Sequence, residues 1–174
     1  MYDKPCKSRS IMVQYQKSKG GIAVSYLWPT LFAAAAVAVD QFTKHLTVTR
    51  IGQGQTVPVL EGVVHLTYVQ NTGAAFSMLT GKTWLFFVVT AVFFAFAALA
   101  LVKKWLTKPL QIWSLAAICG GAVGNLIDRV AHAYVVDMIA VEFIEFPVFN
   151  FADCCITVGA VLLVLSVLFE RKAS

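Results

Sequence analysis

Residues 83–102 read TWLFFVVTAVFFAFAALALV and contain no charged side chain. A helix needs about 20 consecutive, mostly apolar residues to cross a lipid bilayer. The sequence contains three further apolar stretches of similar length, at about residues 22–42, 110–127 and 152–169. Together with residues 83–102, they predict four membrane spans. The composition agrees, because 59% of the 174 residues are hydrophobic and only 13% are charged, against about 45–50% and about 25% in soluble domains. The sequence therefore predicts an α-helical membrane protein.

The first predicted span has to be distinguished from a secretory signal peptide, which the mature protein would lack. Its apolar run is long and ends at DQFTK (40–44) rather than at a small-residue cleavage site. We therefore interpret it as a membrane span. The polar, basic residues 1–21 are expected to form a disordered cytoplasmic tail, and residues 22–174 a single domain of four spans.

Basic residues are concentrated before the first span, between the second and third spans, and after the fourth. These three segments lie on one side of a four-span chain, and cytoplasmic loops carry such an excess of positive charge. The sequence thus predicts that both termini are cytoplasmic. Membrane orientation also explains the net charge of +5 better than nucleic-acid binding does, because no basic stripe with interleaved aromatic residues occurs.

Two segments, at about residues 43–82 and 128–151, are then left on the outer side of the membrane. The first contains VVHLTYV (63–69), which is rich in residues that favour β-strands. The second is rich in Val, Ile and Phe over residues 134–149. Both segments are too apolar for ordinary loops. We expect short strands that form a small β-rich platform against the outer leaflet, together with an extracytoplasmic loop.

Two carboxylates stand out because they lie in apolar surroundings without a basic neighbour. Asp137 lies in VVDMI (135–139) and Asp153 in FNFAD (149–153). Such carboxylates are costly in or beside a membrane and usually mark function. The alternative is a helix cap or an interfacial anchor, and Asp153 is well placed to cap the fourth span. For the pair we favour function, because leaving two carboxylates in apolar surroundings is costly. If they lie close together, they can share a proton, activate water and polarise a carbonyl.

The remaining polar residues of the outer side allow two interpretations each. Asp40 and Lys44 are four residues apart and can pair on one helix face, so an end-of-helix ion pair and a role in the site are equally good interpretations. Asp128 adjoins Arg129, and structural support is the favoured role of Asp128. Arg129 can pair locally or reach a ligand. Asn125 lies at a helix end, where an amide can hold a carboxylate or a substrate carbonyl.

Two glycine-containing motifs have different interpretations. GGAVG (120–124) contains a GxxxG pattern, which lets helices approach closely. NTGAAFS (71–77) resembles a turn followed by a short amphipathic element, and it is either a simple loop turn or a substrate-binding loop.

Other chemistries find little support in this sequence. Ser77 has no His–Asp set in its neighbourhood, and Cys154 and Cys155 lack a nearby base. The three histidines are scattered and no phosphate-binding glycine motif occurs, so no metal or cofactor is expected. A proton-coupled transporter would place carboxylates near the membrane midplane, where these spans have none. A scaffold that packs through GxxxG would leave the unpaired aspartates unexplained.

Five motifs follow one another in an order that resembles the bacterial signal peptidase II family. They lie within residues 26–169 and read DQFTK (40–44), NTGAAFS (71–77), GGAVGNLIDR (120–129), VVDM (135–138) and FNFAD (149–153). The resemblance implies an aspartic endopeptidase of the bacterial inner membrane with its active site near the outer face. It implies that the enzyme removes the signal peptide of prolipoproteins by cleaving before a diacylglyceryl-modified cysteine.

The resemblance also implies roles for individual residues and partners. The catalytic pair would be Asp137 and Asp153. Substrate-binding residues would be Asn71, Asn125, Arg129 and Asn150, and supporting residues would be Asp40, Lys44 and Asp128. The implied partners are the lipid-modified prolipoprotein, membrane lipids and the cyclic lipopeptide inhibitor globomycin, with no nucleic acid.

Overall fold

The computed structural model describes residues 7–73 and 83–173, with side chains for residues 26–73 and 84–169. In these ranges the chain forms helices that pack side by side and a small sheet that packs against α1 and α3. In chain order the elements are α1 (Lys7–Arg50), β1 (Thr56–Leu60), β2 (Val64–Asn71), α2 (Thr83–Val102), α3 (Pro109–His132), β3 (Val135–Val141) and α4 (Phe151–Ala173).

Within the described residues, three helical segments are long and apolar enough to cross a membrane. They are Trp84–Val102, Pro109–His132 and Phe151–Phe169, and they coincide with the second, third and fourth predicted spans. The first predicted span, residues 22–42, lies inside α1, which is not among these three. A membrane protein with several helical spans is therefore supported, whereas the four-span arrangement stays a prediction.

Helix α1 is longer than the sequence suggested. It begins at Lys7 and so extends into the segment predicted as a disordered tail, while residues 1–6 lie outside the described residues. The division into tail and domain stays a prediction. Pro29 lies in the interior of α1. A proline removes one backbone hydrogen bond, and helices in membranes tolerate this loss when neighbouring groups compensate.

Helix α3 is central, since it packs against α1, α2 and α4. Half of its span (50%) is buried inside the protein, against 11% for the spans of α2 and α4. Close approach depends on glycine: a Cβ at Gly120 would lie 3.0 Å from the carbonyl oxygen of Ala33 in α1. A Cβ at Gly121 would collide with the carbonyl of Ala152 in α4. The prediction that the GxxxG segment packs helices is confirmed.

The strands form one antiparallel sheet in the order β1-β2-β3, which confirms short strands in the two apolar connecting segments. Val136 and Met138 pack into a small core with Ile51 of the chain after α1 and Tyr68 of β2. Because side chains alternate between the faces of a strand, Asp137 points away from this core.

A bulge in β2 lies beside Asp137. Leu66 pairs with Ile139 and Val69 pairs with Asp137, so two residues of β2 stand opposite Met138 alone. Bulges bend a strand locally and re-aim its side chains, and they are frequent next to functional sites. The bulge therefore helps to set the direction of the Asp137 carboxylate.

Candidate active site

Asp137 is almost fully buried in β3, with 2% of its surface exposed. Both of its oxygens accept hydrogen bonds from amides: Asn71 Nδ2 donates to Oδ2 at 2.8 Å, and Asn150 Nδ2 donates to Oδ1 at 2.6 Å. Asn71 is the last residue of β2, and its own oxygen accepts a hydrogen bond from the Gly73 N–H at 2.9 Å. This turn orients the Asn71 amide so that its nitrogen faces the carboxylate.

Asp153 lies in the first turn of α4 and takes part in the helix cap. The Asp153 N–H donates to Asn150 Oδ1 at 2.9 Å, and Asp153 Oδ2 accepts a hydrogen bond from the Asn150 N–H at 3.2 Å. This reciprocal arrangement is a capping box, in which Asn150 is the N-cap and Asp153 is the third residue of the helix. Asp153 therefore takes part in capping, but not as the N-cap residue itself. The other oxygen, Oδ1, accepts a hydrogen bond from Asn125 Nδ2 at 2.9 Å, so both oxygens are held in place.

The structure brings the two carboxylates together through Asn150. Its side chain bonds to Asp137, its backbone bonds to Asp153, and its Nδ2 also donates to Asn125 Oδ1 at 3.2 Å. Asp137 and Asp153 line the same cavity of about 900 Å³. Burial raises the pKa of Asp137 to about 6, and the charge of Asp153 contributes in the same direction. The hydrogen bonds from Asn71 and Asn150 oppose this rise.

Behind the asparagines lies a buried ionic cluster centred on Lys44. Its Nζ contacts three oxygens, those of Asp40 at 2.8 Å, Asp128 at 3.0 Å and Asn125 at 2.9 Å. A lysine ammonium only donates hydrogen bonds, so Lys44 fixes Oδ1 of Asn125 and turns its Nδ2 towards Asp153. The predicted pairing of Asp40 with Lys44 is confirmed. Asp128 pairs with Lys44 and not with its sequence neighbour Arg129.

The cluster also connects backbone segments of the site. Asp40 Oδ1 accepts a hydrogen bond from the Ala152 N–H at 2.9 Å, which holds the start of α4. Asp128 Oδ2 accepts a hydrogen bond from the Val136 N–H at 3.0 Å, which holds β3. Each aspartate therefore anchors the backbone next to one of the two cavity-lining carboxylates.

Sequence reasoning missed Gln41. Its Nε2 lies 3.2 Å from Asp40 Oδ2, 3.0 Å from Asp128 Oδ1 and 3.1 Å from the Gly124 carbonyl oxygen. The signal was available, because an amide that follows an apolar helical run is costly to bury unless it finds partners. Gln41 joins α1 to α3 next to the ionic cluster.

Arg129 lines the cavity from the last turn of α3. Its guanidinium carbon lies 4.3 Å from the ring centre of Phe86 in α2, and its Nη1 donates to the Asn125 carbonyl oxygen at 3.4 Å. Phe86 was also missed by sequence reasoning, and no local pattern distinguishes it from the other aromatic residues of its span.

Apolar side chains form most of the cavity wall. Phe93 of α2, Ile118 of α3 and Val158 of α4 contribute to it, and the last two lie about one to two helical turns from the polar residues of their own helices. The cavity therefore extends from the carboxylates between three helices. Phe146, after β3, also lines the cavity. Residues 74–82, which include most of the NTGAAFS motif, lie outside the described residues.

Fold and site together define a multi-pass helical membrane protein with two carboxylates in the wall of an apolar cavity. A sequence profile of signal peptidase (SPase) II matches residues 32–169. The lipoprotein signal peptidase of Brevibacillus brevis is 40% identical over 146 residues, which cover 84% of this chain and 98% of that protein. The enzyme of Streptococcus pyogenes serotype M5 is 44% identical over 133 residues, 74% of this chain and 85% of its own length.

Two solved structures, both described as bacterial membrane enzymes, are similar in fold. One has a TM-score of 0.80 at 30% identity and covers 84% of this chain and 90% of its own. The other has a TM-score of 0.74 at 31% identity and covers 80% of this chain and 92% of its own. The chain belongs to the signal peptidase II family, the lipoprotein signal peptidases, which remove the signal peptide from prolipoproteins.

Proposed function

We propose that Asp137 and Asp153 are the catalytic pair with which this peptidase cleaves its prolipoprotein substrate. One observation carries the proposal: β3 and α4 present two carboxylates, bridged by Asn150, to a single cavity. A peptide bond that entered the cavity would meet both carboxyl groups. The transporter and scaffold alternatives are inconsistent with membership of a peptidase family.

The pair divides the chemistry of hydrolysis between an ionised and a protonated carboxyl group. The ionised group accepts a proton from water, whose oxygen attacks the carbonyl carbon of the scissile bond. The protonated group donates a hydrogen bond to the carbonyl oxygen, where negative charge develops. Collapse of the tetrahedral intermediate breaks the C–N bond as a proton passes to the leaving nitrogen, which becomes the new amino terminus. We place the shared proton on Asp137, because burial disfavours its ionised form.

The polar residues around the pair then have two kinds of role. Those that line or border the cavity are proposed to bind the backbone of the substrate: Asn71, Asn125, Arg129 and Asn150. The three asparagines are also proposed to orient the carboxylates. Those of the buried ionic cluster are proposed to hold the first group and the backbone in place: Asp40, Lys44 and Asp128.

The apolar cavity suits a substrate that is itself anchored in lipid. A diacylglyceryl-modified cysteine has two acyl chains, which would gain free energy along a wall formed by Phe93, Ile118 and Val158. The scissile bond just before that cysteine would then lie at the carboxylates. Globomycin is proposed to occupy the same space, because it combines a peptide ring with an acyl chain.

We further propose a four-span topology in the bacterial inner membrane with both termini in the cytoplasm. Helix α1 is the proposed first span, because large apolar residues such as Leu31, Phe32 and Phe42 are exposed on its surface. The sheet and the catalytic pair would then lie near the outer face. A site there reaches the substrate without extracting it from the bilayer.

The direct test replaces each aspartate by its neutral isostere. We expect Asp137→Asn and Asp153→Asn each to lower cleavage of a purified diacylglyceryl prolipoprotein by at least about 1,000-fold, because neither asparagine can exchange the proton that hydrolysis requires. Cleavage is measured by the gel shift of the precursor in lipid nanodiscs. Glu145→Gln is the matched control, since Glu145 is an exposed carboxylate in the turn after β3.

Folding has to be verified in the same samples. Both aspartate variants should insert in the membrane and give a single size-exclusion peak, because Asn preserves the side-chain volume. Normal cleavage by either variant would refute the catalytic pair, although the chain would still belong to the family.

A further inference from the structure

Arg129, which is partly buried, differs from Lys44, the buried cation of the site. Lys44 pairs with two carboxylates. Within the described residues Arg129 forms no ion pair, even though it lines the same cavity as Asp137 and Asp153. An arginine side chain in an apolar cavity gains more from a bidentate carboxylate partner than from most other contacts. Something therefore has to hold the guanidinium elsewhere.

The ring of Phe86 provides that alternative partner. The guanidinium carbon lies 4.3 Å from its centroid, well inside the distance of about 6 Å at which a cation is attracted by the face of an aromatic ring. Among the described residues, the other polar contact of Arg129 is one long hydrogen bond, 3.4 Å, to the Asn125 carbonyl oxygen. The aromatic face is thus the principal contact that determines where the guanidinium lies.

We propose that Phe86 is a positioning residue whose ring holds Arg129 at the cavity wall and keeps it off the catalytic carboxylates. The inference rests on the proposed function of Asp137 and Asp153. If Arg129 moved onto the pair, its charge would stabilise both carboxylates in the ionised form. The shared proton that hydrolysis needs would then be lost at a lower pH.

Of the two cations near Asp137, Arg129 is the one whose position is less constrained. Asp153 approaches from α4 as a second carboxylate, and Lys44 approaches from α1. Lys44 is held by Asp128 and by a second aspartate within its own helix. Its position is therefore constrained, whereas Arg129 is held mainly by one aromatic ring.

The test is the pH dependence of cleavage in a set of matched variants. Phe86→Leu keeps an apolar side chain but removes the aromatic face, and Phe86→Tyr restores that face. Phe93→Leu is the control, because Phe93 lines the same cavity two turns along α2. We expect the pH midpoint of kcat to fall by about one unit in Phe86→Leu, the order of shift that a close cation causes. Phe86→Tyr should restore the midpoint, and Phe93→Leu should not move it, whatever its effect on KM.

A second measurement is independent of catalysis. With 4-fluorophenylalanine at position 86, the ¹⁹F resonance should move when Arg129→Gln is introduced, whereas a label at position 93 should not respond. A moved resonance with an unchanged pH midpoint in Phe86→Leu would refute the positioning role and leave the catalytic pair intact. An unmoved resonance would refute the contact itself. Failure of the pair is detected separately, by cleavage in Asp137→Asn.

Discussion

Asn125 and Asn150 determine how the carboxylates of Asp153 and Asp137 are held. Lys44 donates to the oxygen of Asn125, so the nitrogen of that amide has to donate to Asp153. The oxygen of Asn150 accepts the Asp153 N–H, so its nitrogen has to face Asp137. No buried side-chain nitrogen or oxygen in the described part of the chain lacks a partner. Fully satisfied polar networks of this kind specify a single arrangement.

The burial of Asp137 also predicts that the stability of the protein depends on pH. Its pKa is raised from 3.8 to about 6, so the folded protein binds this proton more tightly than the unfolded chain does. The stability gained in this way is fully present below about pH 4 and is lost as the pH rises through about 6. The difference between the two pKa values corresponds to about 3 kcal/mol.

The measurement is the free energy of unfolding in mild detergent at about pH 4 and about pH 7. Asn cannot titrate, so Asp137→Asn should gain up to about 3 kcal/mol relative to wild type over this range. Glu145→Gln, which alters an exposed carboxylate, should track wild type. A constant difference between wild type and Asp137→Asn would show that Asp137 has an ordinary pKa.

At the scale of the elements, contact between α3 and α4 decides where Asp153 lies. Gly121 faces the Ala152 carbonyl, directly before Asp153, and Gly159 faces the Ser114 carbonyl further along the same interface. A methyl group at either glycine would force the two helices apart. Only a methyl group at Gly121 would displace the backbone of the capping box at the start of α4.

Two alanine substitutions separate packing from positioning. Gly121→Ala and Gly159→Ala should each destabilise the protein by about 1–3 kcal/mol, because both overpack the interface. Gly121→Ala should also reduce kcat by at least tenfold, since a displacement of about 1 Å at reacting groups has effects of this order or larger. The readouts are unfolding free energy and kcat per folded protein. Equal kcat values for the two variants would contradict the positioning argument.

Across the entire protein, one polar cluster joins distant parts of the chain. Asp40 and Lys44 come from α1, Asp128 from α3, and their backbone partners Ala152 and Val136 from α4 and β3. The four elements therefore meet at one level of the helices, next to the sheet. Apolar side chains cover the outward surfaces of α2 and α4 away from this level, as expected for surfaces in contact with lipid.

The proposed orientation predicts opposite accessibility for the two ends of the helices. Glu61 lies in the turn between β1 and β2, and Lys103 follows α2. In intact cells an impermeant maleimide should label Glu61→Cys, and it should label Lys103→Cys only after permeabilisation, because the two positions would face opposite compartments. The unsubstituted protein, which has four cysteines, provides the background. The reverse labelling pattern would invert the topology without affecting the catalytic pair.

Much of the fold and site could be predicted from local sequence. Long uncharged runs predict the spans over α2, α3 and α4, and Val- and Ile-rich stretches predict the strands. The small residues of the GxxxG segment predict that helices pack closely there. Asp137 and Asp153 are identifiable because apolar neighbours make an ionised side chain costly. Phe86 was not predicted, because its partner lies on another helix and is distant in sequence. For Gln41 the sequence indicates that partners are needed, but only the fold shows that two of them lie on α3.

Hydropathy and charge are properties of neighbouring residues, so the order of amino acids is enough to predict a helical, membrane-embedded protein with two unneutralised aspartates. That Asp137 and Asp153 share one cavity is a property of the fold. Their meeting depends on the β3–α4 connection, on Asn150 and on close packing of α3 against α4 at Gly121. Such contacts depend on distances between elements, which local patterns along a chain do not specify.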